Sequence, residues 1–390
     1  MTTSPASRAV ICALLLVGSL CAFLATDLVL PAIPDLPGIL GGDFEEGQFV
    51  LASFIAGGAL GLYVFGAISW RFDRKKLLMV SLFLFALVSL ACTQVTGIWQ
   101  LIVLRFFQGF LSMVPAVIGP GILRQMFSET GATRAIGVLG SLEALAPALG
   151  PIAGSGLLAI GGWTLSFTLL GVISLLLVGA LLVLSGWVHR TERTEPKGSY
   201  LSLLKSPVYM RYALSQAFCV GGLIMFVMSA PVMLEQGLGG SLHDFIAMQV
   251  CGVTTFIIAS NSAGWLIDRF GAERLIWFGT LVSAISPLGM VLYALSGFAE
   301  PIGVILLFIP LNMGLGFRGP PGFLRAVISA DGQDDRASSL VVLTIFAVAS
   351  GGTALLAPVI EQGLLSVAVM ALLIEGLALL CLWRLPALKD

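Results

Sequence analysis

Five charged residues lie inside long apolar stretches of the sequence: Asp27, Arg105, Glu143, Arg318 and Glu375. An ionised side chain costs roughly 2.5–3.5 kcal/mol at the centre of a membrane helix on insertion scales, so each is a functional candidate by default. A carboxyl group that is removed from water favours its neutral form, so it can take up a proton and later release it. The pattern therefore indicates chemistry with protons or charged ligands at membrane depth.

The apolar stretches that hold these charges have the length of membrane-spanning helices. The chain of 390 residues is 58% hydrophobic and 11% charged, with a mean hydropathy of +1.02, so it has too little polar surface to cover a water-soluble domain. A helix needs about 20 apolar residues to cross a bilayer. The sequence predicts twelve spans, over 9–34, 47–70, 77–96, 98–122, 135–160, 163–187, 210–235, 244–267, 274–297, 301–324, 338–360 and 364–384. These stretches lack the alternation of a barrel strand, so the expected fold class is an all-α integral membrane protein.

The two halves of the chain repeat each other. A loop segment that begins at Gly66 returns 198 positions later at Gly264. The segment Pro120-Gly-Ile-Leu-Arg124 similarly resembles Pro321-Gly-Phe-Leu-Arg325. Internal repeats in an apolar chain are typical of transporters, so the sequence favours that class over a soluble enzyme.

The longest polar connection divides the chain near its middle. It runs from His189 to about Tyr209 and contains Arg, Glu, Pro, Lys and Gly. We therefore expect an N-terminal six-helix bundle over 1–188, a cytoplasmic linker over 189–209 and a C-terminal six-helix bundle over 210–390. The other loops are short, so the function must lie in the helices.

Basic residues predict the orientation, because they mark cytoplasmic loops. Of the 20 Lys and Arg residues, 18 lie near the chain ends or in loops that follow even-numbered spans, and the other two are Arg105 and Arg318. Both termini are therefore expected to face the cytoplasm. The first span follows Arg8 and has no convincing cleavage site, so we expect it to be retained.

Composition disfavours several other classes of function. The net charge of −1 gives no reason to expect nucleic-acid binding, because topology explains the basic loops. The six cysteines lie in predicted spans without metal-ligand spacing and are expected to be free thiols. With two histidines and no nucleophile beside a base, a membrane-embedded enzyme is disfavoured. We expect no catalytic residue, no metal and no cofactor.

Asp27 and Glu143 are acids that the repeated architecture does not require. Asp27 corresponds to Val227 in the second half, and Glu143 corresponds to Ile345. We expect a proton or ligand role for both acids. The alternative is a structural salt bridge to Arg105 or another partner, and both interpretations can hold together.

Small and polar residues share helix faces with these charges. Three residues follow Glu143 on its own face: Pro147, Gly150 and Gly154. Glycines there allow another helix to approach closely. In the fourth span, Gln108, Gly109 and Ser112 follow Arg105 as a polar stripe that faces a cavity or another helix. Gln108 and Ser112 are therefore candidate cavity residues, with helix packing as the alternative.

The second half offers further candidates for a substrate cavity. Arg318 precedes Gly319-Pro320-Pro321-Gly322, which must interrupt helical hydrogen bonding and leave carbonyl groups in need of partners. Arg318 is expected either to satisfy those carbonyls or to contact substrate. Phe226 and Asn312 are also candidates, with core packing as the alternative. For Glu375, a protonated and peripheral acid is the favoured interpretation.

Three segments resemble motifs of a known family. They are Thr26-Asp27-Leu28-Val29-Leu30-Pro31-Ala32-Ile33-Pro34, Leu101-x-x-x-Arg105-x-x-Gln108-Gly109 and Ala146-Pro147-Ala148-Leu149-Gly150-Pro151-Ile152-Ala153-Gly154. With them the chain resembles the major facilitator superfamily over essentially its whole length, and within it the twelve-helix drug:proton antiporters of the Bcr/CflA-like branch. The resemblance implies a fold of two pseudo-symmetric six-helix bundles.

The resemblance also implies a mechanism and roles for residues. The mechanism is alternating access, in which two bundles rock about a central site. Asp27, Glu143 and Arg105 would serve proton coupling and substrate binding. The gating and structural motifs would comprise Gly66, Arg71, Asp73, Arg74, Pro147, Gly150, Pro151, Gly154, Gly264, Asp268, Arg269 and Gly271.

The first copy of the loop motif departs from the family pattern. Trp70 stands where the family has Asp, and Asp73 stands where it has Gly, whereas Asp268 and Gly271 in the second copy keep the pattern. In relatives the first-loop acid is thought to hold the halves together. The usual gating contact is therefore in doubt here.

The expected function is proton-coupled export of small amphiphilic or cationic compounds from the cytoplasm, with multidrug efflux and antibiotic resistance as its consequence. The alternative within transport is a dedicated exporter of one metabolite, such as a siderophore, sugar or amino acid derivative. We expect a monomer in the inner membrane of a bacterium, in contact with lipid, with protons and a small-molecule substrate as its partners.

Overall fold

The computed structural model describes residues 5–183, 198–234, 238–297 and 300–388. Over these ranges the chain is helical without strands, and its contacts divide it into two compact units. The first unit contains Met1–Met126 and Leu142–Lys197, and the second contains Phe127–Ser141 and Gly198–Asp390. The all-α fold class is confirmed.

The first unit is built from the helices of the N-terminal half. They are α1 (Pro5–Asp27), α2 (Leu36–Leu40), α3 (Phe44–Ile68), α4 (Arg74–Cys92), α5 (Ile98–Ser112), α6 (Val114–Met126), α7 (Glu129–Gly161) and α8 (Thr164–Val183). Helix α7 is divided between the units, since its residues up to Ser141 belong with the second. The boundaries predicted at 188 and 210 stay predictions.

The second unit contains the remaining helices. They are α9 (Tyr200–Leu204), α10 (Pro207–Val232), α11 (Leu242–Phe270), α12 (Ala272–Leu295), α13 (Pro301–Ile328), α14 (Asp334–Leu356) and α15 (Leu364–Arg384). Helix α13 packs against α11 and α12, and α10 packs against α14 and α15. The first part of the predicted linker, 189–197, lies outside the described residues.

The described helices account for the predicted membrane spans. Eleven spans are long and apolar enough to cross a membrane, and α7 supplies a twelfth as a pair of segments bent by 49°. The fourth span is not one continuous helix, because α5 ends before Met113 and α6 begins after it. Pro115 explains the break, since a proline ring clashes with the carbonyl four residues earlier and donates no hydrogen bond.

The surfaces of both units carry many exposed apolar side chains. Ile160, Leu176, Ile258 and Trp383 are each more than 60% exposed. A water-soluble protein does not expose apolar surface on this scale. The bilayer therefore covers these faces, while the buried polar residues described below lie inside the units.

Candidate functional site

Asp27 is the last residue of α1, and its side chain is partly buried. The chain turns immediately afterwards through a short 3-10 helix, Leu30–Ala32, which the prolines of this segment favour. Among the described residues, Asp27 has no hydrogen bond or ion pair. A carboxylate without a partner at the end of a membrane helix is available for a proton or a cation.

Two glycines of α7 lie against the end of α1. A Cβ atom on Gly150 would collide with the Asp27 side chain and would lie 3.3 Å from its Cγ. A Cβ atom on Gly154 would collide with the backbone carbonyl of Leu28. The close approach of the two helices therefore requires glycine at both positions. Pro151 lies between them and is partly buried, whereas the side chain of Pro147 lies outside the described residues.

Glu143 lies on the same helix as these glycines. It precedes Gly150 by seven residues and lies on the other side of the bend in α7. Its side chain is partly buried and has no hydrogen bond or ion pair among the described residues. Thus α7 carries one acid and packs against another.

Arg105 is fully buried in the first unit, and its hydrogen bonds go mainly to backbone. Its Nη1 donates to the carbonyl of Ala25 at 2.9 Å and to Gln108 Oε1 at 2.6 Å. Its Nε donates to the carbonyl of Val50 at 3.4 Å. The guanidinium also lies 4.3 Å from the ring centre of Phe54, an attractive geometry for a cation.

The salt bridge considered between the acids and Arg105 is absent among the described residues. Arg105 instead holds α1 through Ala25, two residues before Asp27. Its Nη2 is buried without a hydrogen-bond partner in the part of the chain that the structure describes. Arg105 therefore holds the backbone of α1, and the Asp27 carboxyl group is not among its hydrogen-bond partners.

Gln108 and Ser112 are buried between helices. Gln108 donates from Nε2 to Ser89 Oγ at 2.7 Å and accepts from Arg105. Ser112 donates to the carbonyl of Gly109 at 2.8 Å within its own helix. A Cβ atom on Gly109 would collide with the backbone of Phe54. These contacts belong to helix packing, and a role in a substrate cavity stays a prediction.

The contacts of Arg318 differ from the first of its two sequence interpretations, in which it bonds to carbonyls that the following prolines leave without partners. Helix α13 continues through Pro320 and Pro321, and Arg318 does not satisfy the carbonyls of its own helix among the described residues. Its Nη1 donates to the carbonyl of Ser215 at 2.7 Å, and its Nη2 donates to Ser215 Oγ at 3.1 Å. That interpretation was wrong because Arg318 bonds instead to two acceptors on the neighbouring helix α10, the carbonyl and the hydroxyl of Ser215.

The remaining cavity candidates are buried in the second unit. Phe226 is fully buried and stacks on Phe308 with the ring centres 5.4 Å apart. Asn312 donates from Nδ2 to the carbonyl of Phe308 at 3.0 Å. Both residues contribute to packing around α10 and α13, and substrate contact stays a prediction for each.

The first copy of the loop motif forms a helix start. Gly66 is buried in α3, and Arg71 is exposed with its guanidinium 5.2 Å from the ring centre of Trp70. Asp73 accepts a hydrogen bond from the backbone nitrogen of Lys76 at 3.0 Å. It is therefore the N-cap of α4, a position that Asp favours, and Arg74 is the first residue of that helix.

The second copy of the motif makes side-chain contacts with the start of α7. Asp268 accepts from Thr130 Oγ1 at 2.6 Å, and its Oδ2 lies 3.2 Å from Arg134 Nη2. A Cβ atom on Gly264 would collide with the Arg134 side chain. The glycine therefore lets Arg134 lie across α11 and reach Asp268.

Further side-chain contacts join the start of α7 to α11 and α13. Glu129 and Arg325 form an ion pair, with 2.6 Å from Nε to Oε1 and 3.4 Å from Nη2 to Oε2. Ser260 Oγ donates to the carbonyl of Gly137 at 3.2 Å, and Asn261 donates to Ser141 Oγ at 2.8 Å. We name these contacts of Phe127–Ser141, including those to Asp268, the α7 clamp.

Glu129 and Thr130, which bond to Arg325 and Asp268, were not predicted from the sequence to make these contacts. The sequence contains a weak signal for these contacts. Glu129 and Thr130 lie shortly before Arg134, in a predicted loop on the side that the repeated basic motif predicts to be cytoplasmic. Their partners come from α11 and α13, far along the chain, so spacing within the motif could not predict them.

Two other motif residues shape the turn between α11 and α12. Gly271 has φ +83° and ψ 153°, a conformation that is essentially restricted to glycine. The equivalent Asp73 has φ −63°, so the departure in sequence corresponds to a different backbone. Arg269 lies over the aromatic rings of Trp265 and Phe270, at 5.9 and 5.6 Å from their centres.

Comparison with known proteins matches this architecture to a family model. The model of the Major Facilitator Superfamily matches residues 15–358, which is most of the chain. The chain belongs to the major facilitator superfamily. It is therefore a multi-pass membrane transporter rather than an enzyme, as the sequence predicted.

Individual relatives of this superfamily member are distant. It is 25% identical over 297 residues to a bicyclomycin resistance protein homologue of Haemophilus influenzae, covering 75% of this chain and 73% of that protein. It is 24% identical over 286 residues to the multidrug transporter MdfA of Yersinia pestis, covering 70% and 69%. The solved structure of the superfamily transporter FucP in the outward conformation superimposes with a TM-score of 0.72 at 15% identity, covering 97% of this chain and 99% of that one.

Proposed function

We propose that the protein is a proton-coupled exporter that moves small amphiphilic or cationic compounds out of the cytoplasm by alternating access. The observation that carries the proposal is Asp27. It ends α1 without a partner among the described residues, and Gly150 of α7 lies directly against it. Such an acid can bind a proton in one state of the cycle and a cationic substrate in another.

Glu143 supplies a second acid on α7. Since α7 packs its glycines against α1, a change in the position of α7 alters the surroundings of both acids together. One acid can then hold the proton while the other attracts the substrate. A helix that carries or contacts both acids is a simple physical route for coupling the two events.

Arg105 supports these acids through α1. Its hydrogen bond to Ala25 holds the backbone just before Asp27, and its charge acts at membrane depth, where it is weakly screened. Arg105 therefore positions the end of α1 without forming a salt bridge that would block the Asp27 carboxyl group.

The α7 clamp supplies a gating contact. In it, Asp268 of the second copy of the motif would take the role of the acid that the family pattern has at position 70, where this chain has Trp70. Alternating access requires contacts that form in one state and break in another. We assign the clamp to that role.

The relatives favour drug-like cargo. Those named above are called a bicyclomycin resistance protein homologue and a multidrug transporter. Two acids inside one unit suit cationic or neutral amphiphilic compounds better than anions. The proposal therefore places multidrug efflux ahead of export of one dedicated metabolite.

The setting proposed is the inner membrane of a bacterium, with the protein as a monomer and both termini cytoplasmic. The relatives named above are bacterial, and the basic residues fall on one side of the predicted topology. Fusions at the C-terminus test the orientation. A green fluorescent protein should fluoresce there, and alkaline phosphatase should be inactive.

The function is tested in inside-out membrane vesicles with an imposed pH gradient, acidic inside. Uptake is measured for tetraphenylphosphonium, chloramphenicol and a ferric siderophore at matched protein abundance. The variants are Asp27→Asn and Glu143→Gln. The controls are Asp35→Asn and Glu300→Gln, because both side chains are exposed loop acids.

The expected result is gradient-driven uptake of several compounds, abolished in Asp27→Asn and reduced in Glu143→Gln, with the controls unchanged. Uptake of the siderophore alone would favour the dedicated exporter. Wild-type uptake in both site variants would remove the assignment of the proton site. Absence of gradient-driven uptake in the wild type would refute proton-coupled export of these compounds.

A further inference from the structure

A second cluster of buried polar groups lies inside the second unit, away from Asp27 and Glu143. It consists of side chains from four helices, each of them nine-tenths or more buried: Ser215, Gln216, Cys219, Ser283, Arg318 and Glu375. Three of its atoms have no hydrogen-bond partner in the described part of the chain: Gln216 Oε1, Arg318 Nε and Glu375 Oε1. Buried polar groups are normally satisfied, so this cluster needs an explanation.

Glu375 is not the peripheral acid that the sequence favoured. It is 1% exposed and lies at the centre of the cluster. Its Oε2 lies 3.2 Å from Cys219 Sγ and 3.0 Å from Ser283 Oγ. No cation forms an ion pair with it among the described residues. An ionised carboxylate in that position is costly, so the protonation state of Glu375 matters to the whole unit.

The hydroxyl of Ser283 suits either protonation state of Glu375. It has one proton and two acceptors in reach, the carbonyl of Thr280 at 3.0 Å and Glu375 Oε2 at 3.0 Å. When Glu375 is ionised, Ser283 donates to it. When Glu375 is protonated, the acid donates to Ser283, and Ser283 donates to Thr280. Both arrangements leave the hydrogen bonds of Ser283 satisfied.

Arg318 is the cation of the cluster. Two of its nitrogens bond to Ser215, and the third, Nε, is unpartnered among the described residues. Gly322 leaves room for it, because a Cβ atom there would lie 2.9 Å from Arg318 Nη2 and 2.8 Å from Gln216 Oε1. The polar and charged groups that face Glu375 from the packed helices are Cys219, Ser283 and Arg318.

We propose that Glu375 is a second proton-binding site, which takes up a proton from water during the transport cycle and releases it again, with Arg318 as its electrostatic partner. Uptake forms an O–H bond on the carboxylate and gives the neutral acid. Release restores the carboxylate and its attraction to Arg318. The inference rests on the proposed function, since it adds a second proton to a proton-coupled exporter.

The first test is infrared spectroscopy of the purified full-length protein in lipid nanodiscs during a pH titration. The carbonyl band of protonated carboxylic acids should lose one titrating component in Glu375→Gln and keep it in Glu300→Gln. In Ser283→Ala the midpoint of that component should rise by roughly half to one pH unit, because the hydrogen bond that Ser283 donates to the ionised acid is stronger than the one it accepts from the neutral acid. An unchanged band in Glu375→Gln overturns the proposal.

The second test measures tetraphenylphosphonium accumulation in vesicles against the size of the imposed pH gradient. Removal of one coupled proton lowers the accumulation ratio by about tenfold for each unit of gradient. Glu375→Gln should show that loss while it retains exchange of labelled for unlabelled substrate. An unchanged dependence on the gradient overturns the role of Glu375 in transport.

The two proposals fail in different ways. A wild type without gradient-driven transport refutes the proposed function, and the infrared titration still decides whether Glu375 binds a proton. If Glu375→Gln does not fold, Ser283→Ala keeps the proposal testable, because an unshifted midpoint in that variant overturns it.

Discussion

The α7 clamp contains two ion pairs whose strengths should differ, and their burial sets the difference. Arg325 is 4% exposed and Glu129 is 35% exposed, with two nitrogen–oxygen contacts between them. Arg134 and Asp268 are 56% and 52% exposed and meet through a single nitrogen–oxygen contact. Water screens the second pair far more than the first.

The expected coupling follows from these exposures. The pair of Glu129 and Arg325 should contribute about 1–2 kcal/mol, at the lower end for charge-assisted hydrogen bonds because solvent reaches Glu129. The pair of Arg134 and Asp268 should contribute about 0.2–1 kcal/mol, as exposed pairs do. The ranking of the two pairs is the prediction.

Double-mutant cycles measure both couplings. The neutral substitutions are Glu129→Gln with Arg325→Gln, and Arg134→Gln with Asp268→Asn. The free energy of unfolding is obtained from denaturant titration in mixed micelles, followed by tryptophan fluorescence. At about 1 M salt the Debye length falls to about 3 Å, so the Arg134 pair should lose most of its coupling while the Glu129 pair keeps most of its own. A larger coupling for Arg134 and Asp268 would refute the argument from burial.

Three further predictions concern single positions. Asp73→Ala should lower the free energy of unfolding by about 1 kcal/mol through loss of the α4 N-cap, in the same denaturant titration, and no loss would contradict the capping assignment. Gly271→Ala should lower the free energy of unfolding by about 1–3 kcal/mol because alanine rarely adopts the positive φ of this position. The control Gly376→Ala lies in a helix with open space around its Cβ position and should not lower that free energy. Equal effects of the two substitutions would contradict a backbone cause. Gly150→Ala should abolish vesicle uptake at normal abundance because its Cβ displaces Asp27, while Gly156→Ala on the same helix meets open space and should retain uptake.

The membrane spans could be predicted closely because apolar length is a local property. The predicted span 274–297 corresponds to α12 at Ala272–Leu295, and 364–384 corresponds to α15 at Leu364–Arg384. Prolines were harder to interpret. Pro115 coincides with a break between α5 and α6, yet α13 continues through Pro320 and Pro321. Packing from neighbouring helices determines whether a helix breaks at a proline or continues through it. The residues next to the proline do not reveal that packing.

The charged candidates could also be named from sequence, but their partners could not. Arg105 bonds to the backbone carbonyls of Ala25 and Val50. Every residue has such a carbonyl, so residue types cannot show which one will be the partner. The same holds for Arg318 and the carbonyl of Ser215. Glu375 was interpreted as a protonated, peripheral acid because it is one acid in the last helix, whereas its neighbours come from three other helices. Residue type indicated the candidates, and the fold determines what each of them contacts.

The division of α7 between the two units limits how this chain can be recombined with its relatives. A chimaera joined at the polar linker, near residue 189, would keep Phe127–Ser141 from one parent and receive α11 and α13 from the other. The partners of Glu129, Arg134 and Ser141 would then be foreign. A cut after Met126 and a second after Ser141 would transfer the whole clamp together. The set of contacts that must be transferred together is thus discontinuous in sequence, although the two repeated halves follow one another along the chain.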